Sequence, residues 1–293
     1  MHELTLECTE FTKINYNNPI LKEPNMSKSP VILITGASSG IGAATARLFA
    51  KEGYSVVLAA RRISRIENLA EEIRSSGSQA LAIGSDISNL EDINNLVISA
   101  LGVYGRIDIL FNNAGFGRID WLEGLAPGDD IQSQIQVNLT GLILLTQAVL
   151  PHMIARRSGQ IINMSSVAGL LAMPTYSVYA ACKFAVRGFS EALRREVGVY
   201  GINVSAIYPG AVDTEFEERA HIQRKTGTRT PKALRLSSDD VAQAVLHLVD
   251  RPKRILVIPW PMRLAVWVNI IMPGFVDWLA ERYFVIPERF GES

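Results

Sequence analysis

Short, almost unbroken apolar runs alternate along most of the chain with longer stretches in which apolar residues recur every three or four positions. The runs at 31–35, 55–60, 79–84, 107–111, 160–164, 203–208 and 254–258 predict seven strands. Unbroken apolarity, rather than alternation, marks strands buried on both faces. The helix-spaced stretches fall at about 41–52, 64–75, 90–103, 129–156, 176–199 and 238–250. Strand–helix units repeated in this order predict a single α/β domain over 30–258. Its sheet is doubly wound, mostly parallel and seven-stranded, with helices on both faces. Residues 1–29 form a polar, Asn-rich lead-in, expected to carry little fixed structure, and 259–293 an apolar extension.

Composition narrows the function. Of 293 residues, 48% are hydrophobic and 20% charged, which suits a globular chain with a sizeable core. Lys+Arg and Asp+Glu both number 29, so no global field draws in nucleic acid, and no nucleic-acid partner is expected. Cys8 and Cys182 fit neither a disulfide framework nor a metal spacing, which points to a reducing compartment. A cytoplasmic location, free or peripheral at a membrane, is the expectation. The windows 139–151 and 255–276 are apolar but interrupted by polar residues and prolines, so no spanning helix is predicted.

The chemistry begins after the first strand, at Thr35-Gly36-Ala37-Ser38-Ser39-Gly40-Ile41-Gly42. Glycines let the backbone turn tightly and let phosphate oxygens approach without a Cβ in the way. The helix that follows offers unpaired N–H groups and a positive dipole end to a pyrophosphate.

The spacing Gly-x-x-x-Gly-x-Gly, with Thr before it, resembles the short-chain dehydrogenase/reductase family, single-domain type, and the likeness continues in order to about residue 258. The resemblance implies a Rossmann-type fold and a set of dinucleotide contacts. Asp86, with Ile87, falls where the family's acid meets adenine. Asn112-Asn113-Ala114-Gly115 matches the segment that stabilises the sheet and packs on the adenine ribose. Pro209-Gly210-Ala211-Val212-Asp213-Thr214 matches the loop that holds the nicotinamide carboxamide. Gly36, Ser38, Ser39, Gly40, Ile41 and Gly42 would hold the phosphates. At the tip of the second strand, where an acid would bind a ribose 2′-OH, stands Ala60, followed by Arg61. A guanidinium there, with the Ser38 hydroxyl, suits a 2′-phosphate. NADP(H) is therefore the expected cofactor, ahead of NAD(H), and Arg62 and Arg65 read as solvated charges at a helix start.

Tyr179 and Lys183 stand at i and i+4 on one helix face. A free phenol, with a pKa of ~10, holds its proton tightly. A fixed cation together with an oxidised nicotinamide ring would favour the phenolate. The resemblance assigns the proton transfer to Tyr179, the carbonyl contact to Ser166 rather than Ser165, ribose binding to Lys183, and a helix bend with a relay water to Asn138. No metal is expected, and Cys182 reads as a small buried filler.

Recognition of substrate would fall to a lid at about 213–237, rich in Lys and Arg, and to 259–293, whose Trp260, Trp267, Phe275 and Trp278 suit a pocket cap, a subunit contact or a membrane-interface segment over 260–280. The resulting expectation is an NADPH-dependent reductase of a hydrophobic ketone or 3-oxoacyl-type substrate, forming a homo-oligomer. The alternative from another class is a non-catalytic dinucleotide-binding regulator of the same fold.

Overall fold

The computed structural model describes residues 29–216, 220 and 230–291. The strands are β1 (Val31–Thr35), β2 (Ser55–Ala60), β3 (Ala80–Gly84), β4 (Ile109–Asn112), β5 (Gly159–Met164), β6 (Ile202–Pro209) and β7 (Ile255–Ile258). They form one sheet in the order β3-β2-β1-β4-β5-β6-β7, and every pairing is parallel, with Leu33, for example, opposite both Val57 and Leu110.

Alternate residues of these strands feed two cores, which is why the runs carry no polar face. On one side Ile32, Ile34, Val56, Leu58 and Phe111 pack with α1 (Gly40–Lys51), α2 (Ile63–Ser75) and α6 (Ser238–Asp250). On the other, Val31, Leu33, Val57 and Leu110 pack with α3 (Leu90–Tyr104), α4 (Gly141–Arg156) and α5 (Ser177–Val197). Helix ends follow local chemistry. The Asn89 side chain accepts from the Glu91 and Asp92 amides at the start of α3, and Ser237 forms a capping box with Asp240 at the start of α6.

The helix expected over 129–156 runs continuously from Pro127 to Arg156, but its first half is not regular α. π turns at Pro127–Gln132 and Gln136–Thr140 flank a short turn at Ser133–Ile135 before α4 begins. The apolar spacing there is helical, but Asn138 spends its amide on Phe116, donating to its carbonyl and accepting from its N–H. That tie draws the helix out of register toward the loop after β4. By length and apolarity alone Pro127–Arg156 could cross a membrane. Leu142, Leu145, Val149 and Met153 are instead buried. After β7, α7 (Pro261–Ile271) and α8 (Pro273–Ala280) lead through a π turn (Glu281–Val285) into α9 (Ile286–Phe290).

Candidate active site

The connections leave the C-terminal ends of β1 and β4 in opposite directions, so a crevice opens there, where doubly wound sheets take their ligands. It holds the glycine turn. Gly36 and Gly40 have φ of +66° and +52°, which side chains rarely adopt, and a Cβ on Gly42 would overlap the Gly36 carbonyl. Asn113 locks the turn: its amide donates to the Thr35 carbonyl, while Thr35 Oγ1 accepts from the N–H groups of Asn113 and Ala114. Ser39 caps α1 in extended conformation without a side-chain hydrogen bond to the first-turn amides, leaving those donors to a ligand. A pyrophosphate fits this cradle.

At the crevice rim the cations are not arranged as expected. Arg61 is largely solvated, with its Nη1 3.8 Å from an Asp86 carboxylate oxygen. Arg62 is not a solvated helix-start charge. Its Nη2 donates to Ser38 Oγ and Ser39 Oγ, both at 2.8 Å, and its Nη1 to Glu215 at 3.1 Å. Glu215 also accepts from Arg65 at 2.7 Å. Glu215 is 150 residues beyond Arg65 in the chain, and folding brings it across the crevice. Asp86 uses one carboxylate oxygen to accept from the Ser88 N–H and hydroxyl, and Ile87 is buried beside it.

The four expected catalytic side chains converge. Ser166 and Tyr179 both line the crevice floor, close enough for the serine hydroxyl to act on the phenol. Ser165 is turned away and donates to the Lys183 carbonyl at 3.0 Å, which separates the two neighbouring serines. Lys183 is buried, donates from Nζ to the Met164 carbonyl at 3.0 Å, and lies 5.5 Å from the Tyr179 ring centre. A Cβ on Gly115 would strike Asn138 Oδ1 and approach Lys183 Nζ, so the loop after β4 seats against both residues.

Burial dominates the titration of this group. It pushes the Tyr179 phenol well above its ordinary range, against the opposing influence of the nearby Ser166 hydroxyl. It also pulls Lys183 down to about 8. The lysine alone therefore does not acidify the phenol: its charge is itself desolvated and turned toward Met164. Burial likewise raises the Cys182 thiol, as suits a filler.

The loop after β6 closes the crevice. The Gly210 N–H donates to the Ile258 carbonyl, Val212 bridges Leu236, and Thr214 packs on Gly40. Of the expected lid, residues 217–219 and 221–229 lie outside the described residues, and with them Arg219, Arg224, Lys225 and Arg229. Arg235 pairs with Asp213 rather than offering a free charge. Sequence reasoning missed Phe216, whose ring centre is 5.5 Å from that of Tyr179, and also Trp121. Neither belongs to a motif; the only signal was an aromatic following a recognised segment. The whole cleft encloses about 2660 Å³ and runs on to Val268, Leu279, Phe284 and Glu288 of the C-terminal helices. No cluster of metal-ligating side chains occurs among the described residues.

Residues 30–225 match the short chain dehydrogenase family. An uncharacterized oxidoreductase of Listeria innocua is 41% identical over 234 residues, 78% of this chain and 94% of that protein. A short-chain dehydrogenase from Sphingobium yanoikuyae, solved with NADPH, is 32% identical with a TM-score of 0.72, over 85% of this chain and 96% of that one. A 3-ketoacyl-(acyl-carrier-protein) reductase from Brucella melitensis, solved with NADH, is 31% identical with a TM-score of 0.71, over 78% of this chain and 96% of that one.

Proposed function

The chain belongs to the short-chain dehydrogenase family and is an oxidoreductase served by a nicotinamide dinucleotide, and on that premise we propose that it is an NADPH-dependent reductase of a hydrophobic carbonyl compound. The observation that carries the proposal is the convergence of Ser166, Tyr179, Lys183 and Asn138 beside an uncapped glycine cradle. A regulator without turnover has no use for a buried lysine without a carboxylate partner beside a buried phenol.

Bound reduced nicotinamide would supply the hydride to the carbonyl carbon. The chain's own groups do the rest. Ser166 Oγ donates to the carbonyl oxygen and positions it, and Tyr179 Oη transfers its proton to that oxygen as negative charge grows there. A phenol held protonated by burial is poised for reduction. Lys183 would meet the nicotinamide ribose hydroxyls and return a proton to Tyr179. Asn138 has both side-chain groups engaged by Phe116, so anchoring a relay water falls to its main-chain carbonyl in the π turn.

For the 2′-phosphate, the solvent-exposed Arg61 is the fork and Ser38 the hydroxyl, with Arg62 held beside them. NADP(H) is favoured over NAD(H) because no acid stands at Ala60 and two guanidiniums follow it. The hydrophobic substrate reading rests on the apolar far end of the cleft. Exposed Leu122 and Ile135 near Cys182 suit a homo-oligomer contact, and exposed Trp260, Trp267 and Trp278 suit peripheral membrane contact from the cytoplasmic side.

Titration of both cofactors by fluorescence tests the preference. Arg61→Ala should weaken NADPH roughly 10- to 100-fold and leave NADH nearly unchanged. Equal losses, or a wild type that prefers NADH, would overturn it. A panel of ketones, aldehydes and acyl thioesters with NADPH tests turnover itself.

A further inference from the structure

The C-terminal helices form an arch that starts and ends on the body of the domain. At its root, Val266 of α7 packs on Leu170, Ala206 and Tyr208. The chain then bends by 109° between α7 and the helical run beginning at Pro273. At its tip, Arg289 of α9 meets the loop that leaves β4. Its Nη1 lies 2.5 Å from Glu123 Oε1, and its guanidinium carbon lies 3.7 Å from the centre of the Trp121 ring. Trp121 lines the cleft that holds Tyr179. Glu288, next to Arg289, is buried and lines the same cleft, whereas Phe290 beyond it is exposed. The tail is thus inserted at the cleft and does not merely lie along the surface.

Most of the inner side of this arch is apolar: Met262, Ala265, Val268, Leu279 and Phe284 line the cleft, with Tyr283 and Glu288 the polar exceptions. A drug-sized ligand site occupies roughly 300–1,000 Å³. At about 2660 Å³ the cleft has room for a dinucleotide and a second extended molecule. The matched family segment ends at residue 225, before the arch begins.

We propose that α7–α9 is the far wall of the substrate site, clasped by Arg289 onto Trp121 and Glu123, and that it receives the hydrocarbon body of a long apolar carbonyl compound. The proposal rests on the reductase reading above and adds to it the substrate class and a positioning residue. A wall that buries a hydrocarbon chain must also open to admit it. A half-exposed ion pair over an indole face is a bond of the right strength, since each part is individually weak. Opening frees the tip of the arch while its root stays packed on Tyr208.

The test compares decanal with butanal, two aldehydes with the same reacting group and different hydrocarbon length. In Arg289→Ala the decanal-to-butanal ratio of KM should rise roughly 3- to 30-fold. Glu123→Gln, on the opposite side of the clasp, should raise it less, roughly 2- to 5-fold. Combining Arg289→Glu with Glu123→Arg should restore part of the loss, which a purely local packing role for Arg289 would not do. Isothermal titration with decanol, in the absence of cofactor, reads the same wall independently of turnover and should weaken in step. Equal effects on both aldehydes, an unchanged ratio, or a failure of the charge exchange to recover decanal would overturn the clasp. If neither aldehyde is reduced with either nicotinamide, the reductase reading falls, and the decanol titration still decides the wall.

Discussion

The amino-terminal and carboxy-terminal edges of the sheet, where its central strands begin and end, solve opposite problems. At the edge where β1 begins, Asp108 accepts from the Val31 N–H at 2.8 Å and from Arg106 Nε at 2.7 Å through one oxygen. Its other oxygen accepts from Arg106 and Arg156 at 2.5 and 2.6 Å. Burial works against that carboxylate, but the hydrogen bonds from both arginines and Val31 hold it below its ordinary value. Every charge there is answered. At the edge where β4 and β5 end, a charge is left with a neutral partner: Lys183 is buried and its ammonium donates to the Met164 carbonyl. One edge is settled for stability. The other carries the residues proposed above to meet a cofactor and a substrate.

The comparison breaks most visibly at Tyr179. Replacing it with Phe should lower kcat roughly a hundred- to ten-thousand-fold. NADPH affinity should stay within a few-fold, because the phenol oxygen acts on substrate. Near-normal single-turnover rates in this variant would remove the proposed proton donor.

Lys183 should show the cost of a charge with a neutral partner. Its folded pKa, about 8, lies below its ordinary 10.5, so the unfolded chain binds the extra proton between those values. Stability of the cofactor-free protein should therefore rise as pH climbs from about 8 to 10.5. Below about pH 8 the full penalty applies, on the order of 3 kcal/mol. Lys183→Met should lose that rise and unfold at higher urea concentration at neutral pH, while losing both turnover and NADPH affinity. A flat wild-type pH profile over this range would show that the site relaxes around the charge.

Asp108 should behave in the reverse sense and more weakly. Asp108→Asn should destabilise the protein by roughly 1–3 kcal/mol at neutral pH and leave turnover per folded molecule unchanged. Because its folded pKa is depressed, the advantage of wild type should fade as pH falls below about 3.8, its ordinary value. Urea midpoints for both proteins at neutral and acid pH read this directly. A loss of turnover larger than the loss of folded protein would mean that the two edges are coupled.

The sequence carried the seven strands, the glycine turn and the Tyr179–Lys183 pair, because each is written in local spacing. An apolar run, a turn that needs φ above zero and an i, i+4 pair are all properties of a few consecutive residues. It also pointed to Ser166, Asn138 and the loop from Pro209 to Thr214 through their resemblance to a known family; Ser166 and that loop line one crevice, and Asn138 lies buried behind it. Tertiary structure alone decided what distant segments do to one another. Glu215 crosses the crevice to hold Arg62 and Arg65, so that a charge expected in solvent became part of the rim. Asn138 ties to Phe116 in a π turn inside a helix that the spacing predicts as regular α. Arg289 closes on Glu123, 166 positions earlier. The energies of such pairings depend on distance and desolvation, and neither exists until the chain has folded.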